Sequence, residues 1–179
     1  MKILALIGSP RKHGNTEILV DEILRGAKSI GHATELLRLY DYEILPCLDC
    51  RRCKQMEKNC SCALSDGMQQ IYPQLENSDL IIFATPIYWY GPTAKMKLLI
   101  DRLRPFIASR KLDGKKGLIV APSEEGPGCC GPLVEMLHMS FDYLGMVMAG
   151  KILAKAYERG EIEEHPEELR RAYELGGSL

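Results

Sequence analysis

Residues 2–16, KILALIGSPRKHGNT, join a nearly continuous apolar run to a polar turn. Such a run is typical of a β-strand that is buried on both faces of a parallel sheet. Apolar residues then recur at helical spacing through residues 15–30, and Asn15 stands where a helix N-cap is expected. The stretch therefore predicts a buried strand that leads through a loop into a helix.

The same alternation of apolar runs and helical patterns continues along the chain. Strands are predicted at residues 2–8, 33–39, 80–84, 117–121 and 146–153. Helices are predicted at residues 15–30, 66–75, 93–103, 133–144 and 166–175, with Gly145 ending the fourth of them. Five strand–helix units predict an α/β fold with a doubly wound parallel sheet that is covered on both faces.

Length and composition exclude several classes of protein. The 179 residues suit a single domain, residues 1–179, and the 46% hydrophobic and 26% charged residues are ordinary for a globular protein. The formal net charge of -1 argues against nucleic acid or an anionic membrane as partner. No apolar run is long enough to span a bilayer or to form a secretory signal, so we expect a cytoplasmic protein.

The first loop has the composition of an anion site. It leads from a strand into a helix N-terminus, where free backbone N–H groups and the helix dipole favour a phosphate. Four of its side chains add donors or positive charge: Ser9, Arg11, Asn15 and Thr16. The loop has neither a G-x-G-x-x-G pattern nor a P-loop. The alternative is a polar loop before an ordinary capped helix.

The loop after the third strand carries three consecutive aromatic residues in the stretch TPIYWYG, residues 85–91. Ligands of open α/β sheets bind at the carboxyl ends of the strands, and aromatic rings stack on planar conjugated molecules. We therefore expect a flat ligand here. A buried corner or a subunit interface is the alternative.

These two stretches together, GSPRKHGNT and ATPIYWYGPTAKMKLLIDR, resemble the NADPH-dependent FMN reductase family of the flavodoxin-like superfamily. The resemblance implies a three-layer α/β/α sandwich with strand order 2-1-3-4-5 and one FMN per subunit of a homodimer or larger homo-oligomer. The residues implied for FMN are Ser9, Arg11, Gly14, Asn15, Thr16, Pro86, Ile87, Tyr88, Trp89 and Ser123. Ser123 belongs to the loop PSEEGPG, where Glu124 and Glu125 depart from the turn that relatives often have.

Residues 41–65 hold a cysteine-rich stretch that reads as an insertion. The spacing C-x2-C-x2-C of Cys47, Cys50 and Cys53, followed by Cys60, favours a [4Fe–4S] cluster over zinc. Cys62 is the alternative candidate for the fourth ligand. A subgroup of the resembled family, the iron-sulfur flavoproteins, has this compact spacing. Free thiols or a redox disulfide are the alternatives, and we expect the separate vicinal pair Cys129–Cys130 to be inert.

The resemblance implies an FMN-dependent oxidoreductase that passes electrons from NAD(P)H, or from a reduced carrier such as ferredoxin, to a small-molecule acceptor. The cluster would be an additional electron carrier. The first alternative is a quinone or FMN reductase without a metal cluster. The second belongs to another class, a flavin or zinc module that senses redox state or binds a partner without turnover. We assign no residue as an obligatory catalytic acid or base.

Overall fold

A computed structural model of the chain describes residues 1–55 and 62–179. Within them lies a five-stranded, all-parallel sheet in the order β2-β1-β3-β4-β5. The strands are β1 (Lys2–Ile7), β2 (Ala33–Arg38), β3 (Leu80–Ala84), β4 (Lys116–Ser123) and β5 (Val147–Lys155). The α/β class, the parallel sheet and the flavodoxin-like strand order are thereby confirmed.

Helices cover both faces of the sheet and complete the three layers. They are α1 (Asn15–Ser29), α2 (Arg52–Gln55), α3 (Met68–Glu76), α4 (Ala94–Asp101), α5 (Pro105–Ser109), α6 (Gly131–Leu144) and α7 (Pro166–Gly177). Helices α1 and α7 pack on one face, whereas α3 to α6 pack on the other. In the part of the chain that the structure describes, no helix is long and apolar enough to cross a membrane.

Alternate side chains of β1 enter two separate hydrophobic cores. Ile3 and Ile7 pack with α1, whereas Leu4 and Leu6 pack against the helices on the opposite face. All four are buried. Burial on both faces explains the nearly continuous apolar run, and each such side chain stabilises the fold by roughly 1.5–3 kcal/mol.

Two predicted helix boundaries are resolved differently by the structure. The predicted N-cap at Asn15 is wrong: Asn15 is the first residue of α1, and Gly14 occupies the cap position without a side-chain cap. Thr93 is instead the N-cap of α4, with its hydroxyl accepting from the amide of Met96. Gly145 ends α6 in the left-handed region, at φ 72°, as its position in the sequence predicted.

The winding of the chain reverses at β1, which lies between β2 and β3. The loops that follow β1 and β3 therefore meet at the carboxyl edge of the sheet. The amide of Gly8 donates to Ala84 O at 2.7 Å, and the hydroxyl of Thr93 donates to Gly8 O. A Cβ on Gly8 would lie 2.8 Å from Met96 Cβ, so glycine is needed for this close approach. The first and third loops are thus held side by side.

Candidate functional site

A groove at the carboxyl edge of the sheet is formed by the loops that follow β1, β3, β4 and β5. Its inner part, about 130 Å³, is lined by Ser9, Arg11, Asn15, Thr16, Pro86, Ile87, Tyr88, Pro122, Ser123, Glu124, Ala156 and Tyr157. Its outer part, about 350 Å³, shares Ile87, Ser123 and Glu124 and adds Trp89, Tyr90, Glu125 and Cys129. We call the two parts together the edge groove. It contains every FMN residue that the resemblance implied except Gly14.

The anion loop, residues 8–16, provides free donors at the inner end of the groove. Helix α1 begins at Asn15, so the amides of Asn15 and Thr16 have no intrahelical acceptor. Arg11 adds a positive charge, and its Nη1 donates to Tyr157 O at 2.8 Å. Gly14 lies behind the loop, where a Cβ would come within 3.1 Å of Arg11 O. This arrangement suits a phosphate.

The side chain of Asn15 ties the anion loop to the segment after β5. Its Nδ2 donates to Glu158 O at 2.8 Å, and its Oδ1 accepts from the amide of Ile162 at 3.2 Å. Both polar atoms of the side chain are therefore used within the protein. What Asn15 still offers to a bound anion is its backbone N–H and the second N–H of Nδ2.

The segment after β5 was missed by sequence reasoning, although Ala156 and Tyr157 line the groove. The predicted strand ended at residue 153, whereas β5 continues to Lys155. Because β5 runs parallel to β4, the segment that follows it must emerge at the same edge. That topological argument is the signal that could have identified these residues.

Glu17 is buried beneath the anion loop. Its carboxylate accepts from the backbone amide of His13 at 3.1 Å and is paired with Arg38 of β2, whose Nε lies 3.2 Å from Oε2. Burial opposes ionisation of Glu17, but the hydrogen bonds from Arg38 and His13 outweigh it and lower its pKa. The pair holds the loop backbone and leaves little net negative charge beneath the anion site.

The aromatic loop, residues 85–91, contains a strained and exposed turn. Tyr88 and Gly91 exchange two backbone hydrogen bonds of 2.9 and 3.0 Å, and the two residues between them, Trp89 and Tyr90, are left-handed at φ 51° and 62°. This conformation is unfavourable by about 1–2 kcal/mol for each residue. Trp89 is 97% exposed. Strain and exposed rings at the mouth of the groove favour a functional role.

The loop after β4 closes the other side of the groove. Ser123 is buried, and its hydroxyl donates to Gly126 O at 2.8 Å. Cys130 is also buried, and burial raises the pKa of its thiol. Cys129 is half-buried and lines the outer groove. Both are free thiols in the structure.

A second, smaller pocket of about 20 Å³ lies in the cysteine-rich stretch. We call it the cysteine pocket; its lining includes Cys47, Cys50, Cys53, Cys62, Arg51, Arg102 and Arg104. The predicted fourth ligand, Cys60, lies outside the described residues. Across residues 1–55 and 62–179, no group of three or more His, Cys, Asp or Glu side chains is arranged to hold a metal ion.

A buried ion pair anchors the base of the cysteine pocket. Arg102 and Asp66 are joined by two hydrogen bonds, of 2.6 and 3.1 Å. The amide of Leu45 donates to Asp66 at 2.9 Å, and Leu45 O accepts from Arg102 at 2.7 Å. Burial opposes ionisation of Asp66, but these donors and the amide of Met68 lower its pKa. The two ends of the stretch are thereby held together.

Comparison with known proteins agrees with this geometry. Residues 1–158 match the family described as NADPH-dependent FMN reductase. An iron-sulfur flavoprotein of Methanocaldococcus jannaschii is 34% identical over 150 residues, which cover 84% of this chain and 76% of that protein. A putative NAD(P)H-dependent FMN-containing oxidoreductase of Bacillus subtilis is 27% identical over 98% of this chain and 96% of its own length.

The solved structure of an NAD(P)H:quinone oxidoreductase from Methanothermobacter marburgensis has the same fold, with a TM-score of 0.71 and 15% identity. The superposition covers 100% of this chain and 98% of that one. The resemblance seen in the sequence is confirmed by the family match over most of the chain. The chain belongs to the NADPH-dependent FMN reductase family, whose members are FMN-dependent NAD(P)H oxidoreductases.

Proposed function

We propose that the edge groove holds FMN. The binding set is Ser9, Arg11, Gly14, Asn15, Thr16, Pro86, Ile87, Tyr88, Trp89 and Ser123, to which we add Tyr157. One observation carries the proposal. The FMN residues implied by the resemblance lie on three separate segments of the sequence, yet all but Gly14 line one groove, at the point where the winding of the sheet reverses. Free amides lie at the inner end and aromatic rings at the outer end, which matches a molecule with a phosphate tail and a flat ring.

Each part of the groove has a distinct task. The amides of Asn15 and Thr16, with the charge of Arg11, bind the phosphate, while the aromatic loop and Ser123 position the ring system. When bound, FMN supplies hydride and single-electron transfer, so the protein contributes binding, orientation and electrostatics. Trp89 leaves an exposed aromatic face on which a nicotinamide or a flat acceptor can stack.

We propose NAD(P)H as the electron donor and a small planar molecule such as a quinone as the acceptor. The family match and the exposed aromatic face support this. A protein donor such as ferredoxin is the second candidate, and anaerobic reduction by each donor in turn separates the two. We further propose a homodimer, in which a second copy would cover the exposed ring of Tyr90. Size-exclusion chromatography with light scattering tests that assembly.

We also propose that the cysteine pocket holds a [4Fe–4S] cluster. Four cysteine residues line one pocket together with arginines, and thiolate ligands next to cations suit an anionic iron–sulfur group. The relatives named iron-sulfur flavoprotein support the same assignment. Cys47, Cys50 and Cys53 are three of the ligands. For the fourth, the spacing in the sequence favours Cys60, whereas the pocket contains Cys62.

The test is anaerobic purification, followed by reconstitution with FMN and then with iron and sulfide. We expect one FMN and four iron atoms for each subunit. The loaded protein should show a broad absorption band in the visible region. Cys50→Ser should lose iron and keep FMN, while Cys129→Ser, the matched control outside the cysteine pocket, should keep its iron. Separate Cys60→Ser and Cys62→Ser variants identify the fourth ligand.

Failure to take up FMN would overturn the proposal for the groove. FMN uptake without iron would overturn only the cluster and favour the reductase without a metal. Full iron retention in Cys50→Ser would refute the ligand set.

A further inference from the structure

One nitrogen of the Arg102 guanidinium makes no hydrogen bond within the described part of the chain. Its side chain is 1% exposed, and both terminal nitrogens are occupied by Asp66 and by Leu45 O. Its Nε is buried and has no acceptor in the described part of the chain. A buried donor without a partner is unfavourable, so its persistence calls for an explanation.

The cysteine pocket, which Arg102 lines, has two kinds of side-chain acceptor, carboxylate oxygen and cysteine sulfur. Its two lining carboxylates already have cations: Asp49 is paired with Arg51 at 3.3 Å, and Asp101 with Lys97. The other side-chain acceptors in the lining are the sulfur atoms of the four cysteine residues. Sulfur is a weak acceptor as a thiol and a much better one when it carries negative charge.

The ion pair with Asp66 limits what Arg102 contributes. Asp66 balances the charge of the guanidinium, so the pocket receives mainly a directional N–H donor from this residue. Both members of the pair bond to Leu45, which lies two residues before Cys47, and Asp66 itself lies four residues after Cys62. The position of the donor relative to the cysteine-rich stretch is therefore fixed by the fold.

We propose that Arg102 Nε–H donates a hydrogen bond to a sulfur of the group that the cysteines hold, and that it raises the reduction potential of that group. The inference rests on the cluster proposed above. Hydrogen bonds to cluster or ligand sulfur favour the reduced, more negative form. Arg102 is thus a positioning and tuning residue, and it is not a ligand.

The first test uses the intact, cluster-loaded protein grown with ¹⁵N-labelled arginine. Pulsed EPR of the reduced protein should show coupling to an arginine nitrogen. Arg104→Lys is the matched control because Arg104 lines the same pocket and its buried Nε also has no acceptor among the described residues. The coupling should persist in Arg104→Lys and vanish in Arg102→Lys. A loaded wild-type protein without coupling, or coupling lost in Arg104→Lys, overturns the assignment to Arg102.

The second test is a potential titration of the loaded proteins followed by EPR. Arg102→Lys keeps the charge and removes the Nε donor, and we expect at least a tenfold shift against reduction, which is a fall of about 59 mV for one electron. An unchanged potential overturns the proposal. If Arg102→Lys does not fold, wild-type coupling that persists in both Arg104→Lys and Arg51→Lys supports Arg102, and its loss in either variant overturns the assignment. If wild-type protein binds FMN but no iron, the cluster fails and this inference fails with it.

Discussion

Gly26 of α1 and Gly176 of α7 each lie against the backbone of the other helix. A Cβ on Gly26 would lie 2.1 Å from Tyr173 O, and one on Gly176 would lie 2.0 Å from Ile23 O. The two helices therefore pack closely on one face of the sheet. Because α1 carries the anion loop at its N-terminus, this contact supports the inner end of the edge groove.

Gly26→Ala should destabilise the protein by at least about 1–3 kcal/mol, since the added methyl group meets backbone atoms that cannot rotate away. Urea unfolding followed by circular dichroism measures the change. Gly177→Ala is the control, because nothing lies within 4 Å of its added Cβ. Equal urea midpoints for the two variants would contradict this prediction, since they would show that α7 can move away from α1 without loss of stability.

Glu17→Gln should reduce the dependence of stability on acid pH. The folded pKa of Glu17 is lowered, so the unfolded state binds more protons between the folded value and the unfolded value of about 4.3. The stabilisation from the ionised carboxylate is complete above that range and is lost as the pH falls through the folded pKa. We expect wild-type protein to lose more unfolding free energy than Glu17→Gln between about pH 6 and pH 3. Parallel slopes would contradict this role.

Arg11→Gln should weaken FMN binding roughly tenfold to hundredfold, as expected from the loss of a charged hydrogen-bond donor to phosphate of about 1.5–3 kcal/mol. Fluorescence titration of the apoprotein with FMN gives the dissociation constant. Lys12→Gln is the matched control in the same loop, since Lys12 faces Asp41 at 3.9 Å and is mostly exposed. A similar loss in both variants would indicate a general charge effect, which rising salt would remove.

Trp89→Ala should weaken FMN binding about two- to tenfold, since a stacked ring pair contributes about 0.5–1.5 kcal/mol. Because Trp89 is exposed, its replacement should change the unfolding free energy by no more than about 0.5 kcal/mol. Tyr143→Ala, which removes an exposed ring on α6, controls for the loss of an aromatic residue elsewhere. Identical FMN affinity in both variants would place Trp89 away from the flavin.

The strands and most helices could be predicted because their signals are local. β3 was predicted with both ends correct, since all five of its residues are apolar and buried on both faces. The anion and aromatic loops were found for the same reason: each directly follows a buried strand. Errors appeared at element boundaries. The last strand was predicted to end at residue 153, where the apolar pattern ends, but the hydrogen bonds of β5 continue to Lys155.

The periodicity of apolar residues indicates which side chains are buried, but it does not identify the residues that those side chains contact. The amino-acid sequence was therefore sufficient for the class of fold and for the family, and it placed the proposed FMN site at the carboxyl edge of the sheet. Folding alone determined that Asn15 bonds to Glu158, 143 residues away, and that Arg102 bonds to Asp66, 36 residues away. These contacts join surfaces of different elements, and their geometry exists only once the helices pack on the sheet.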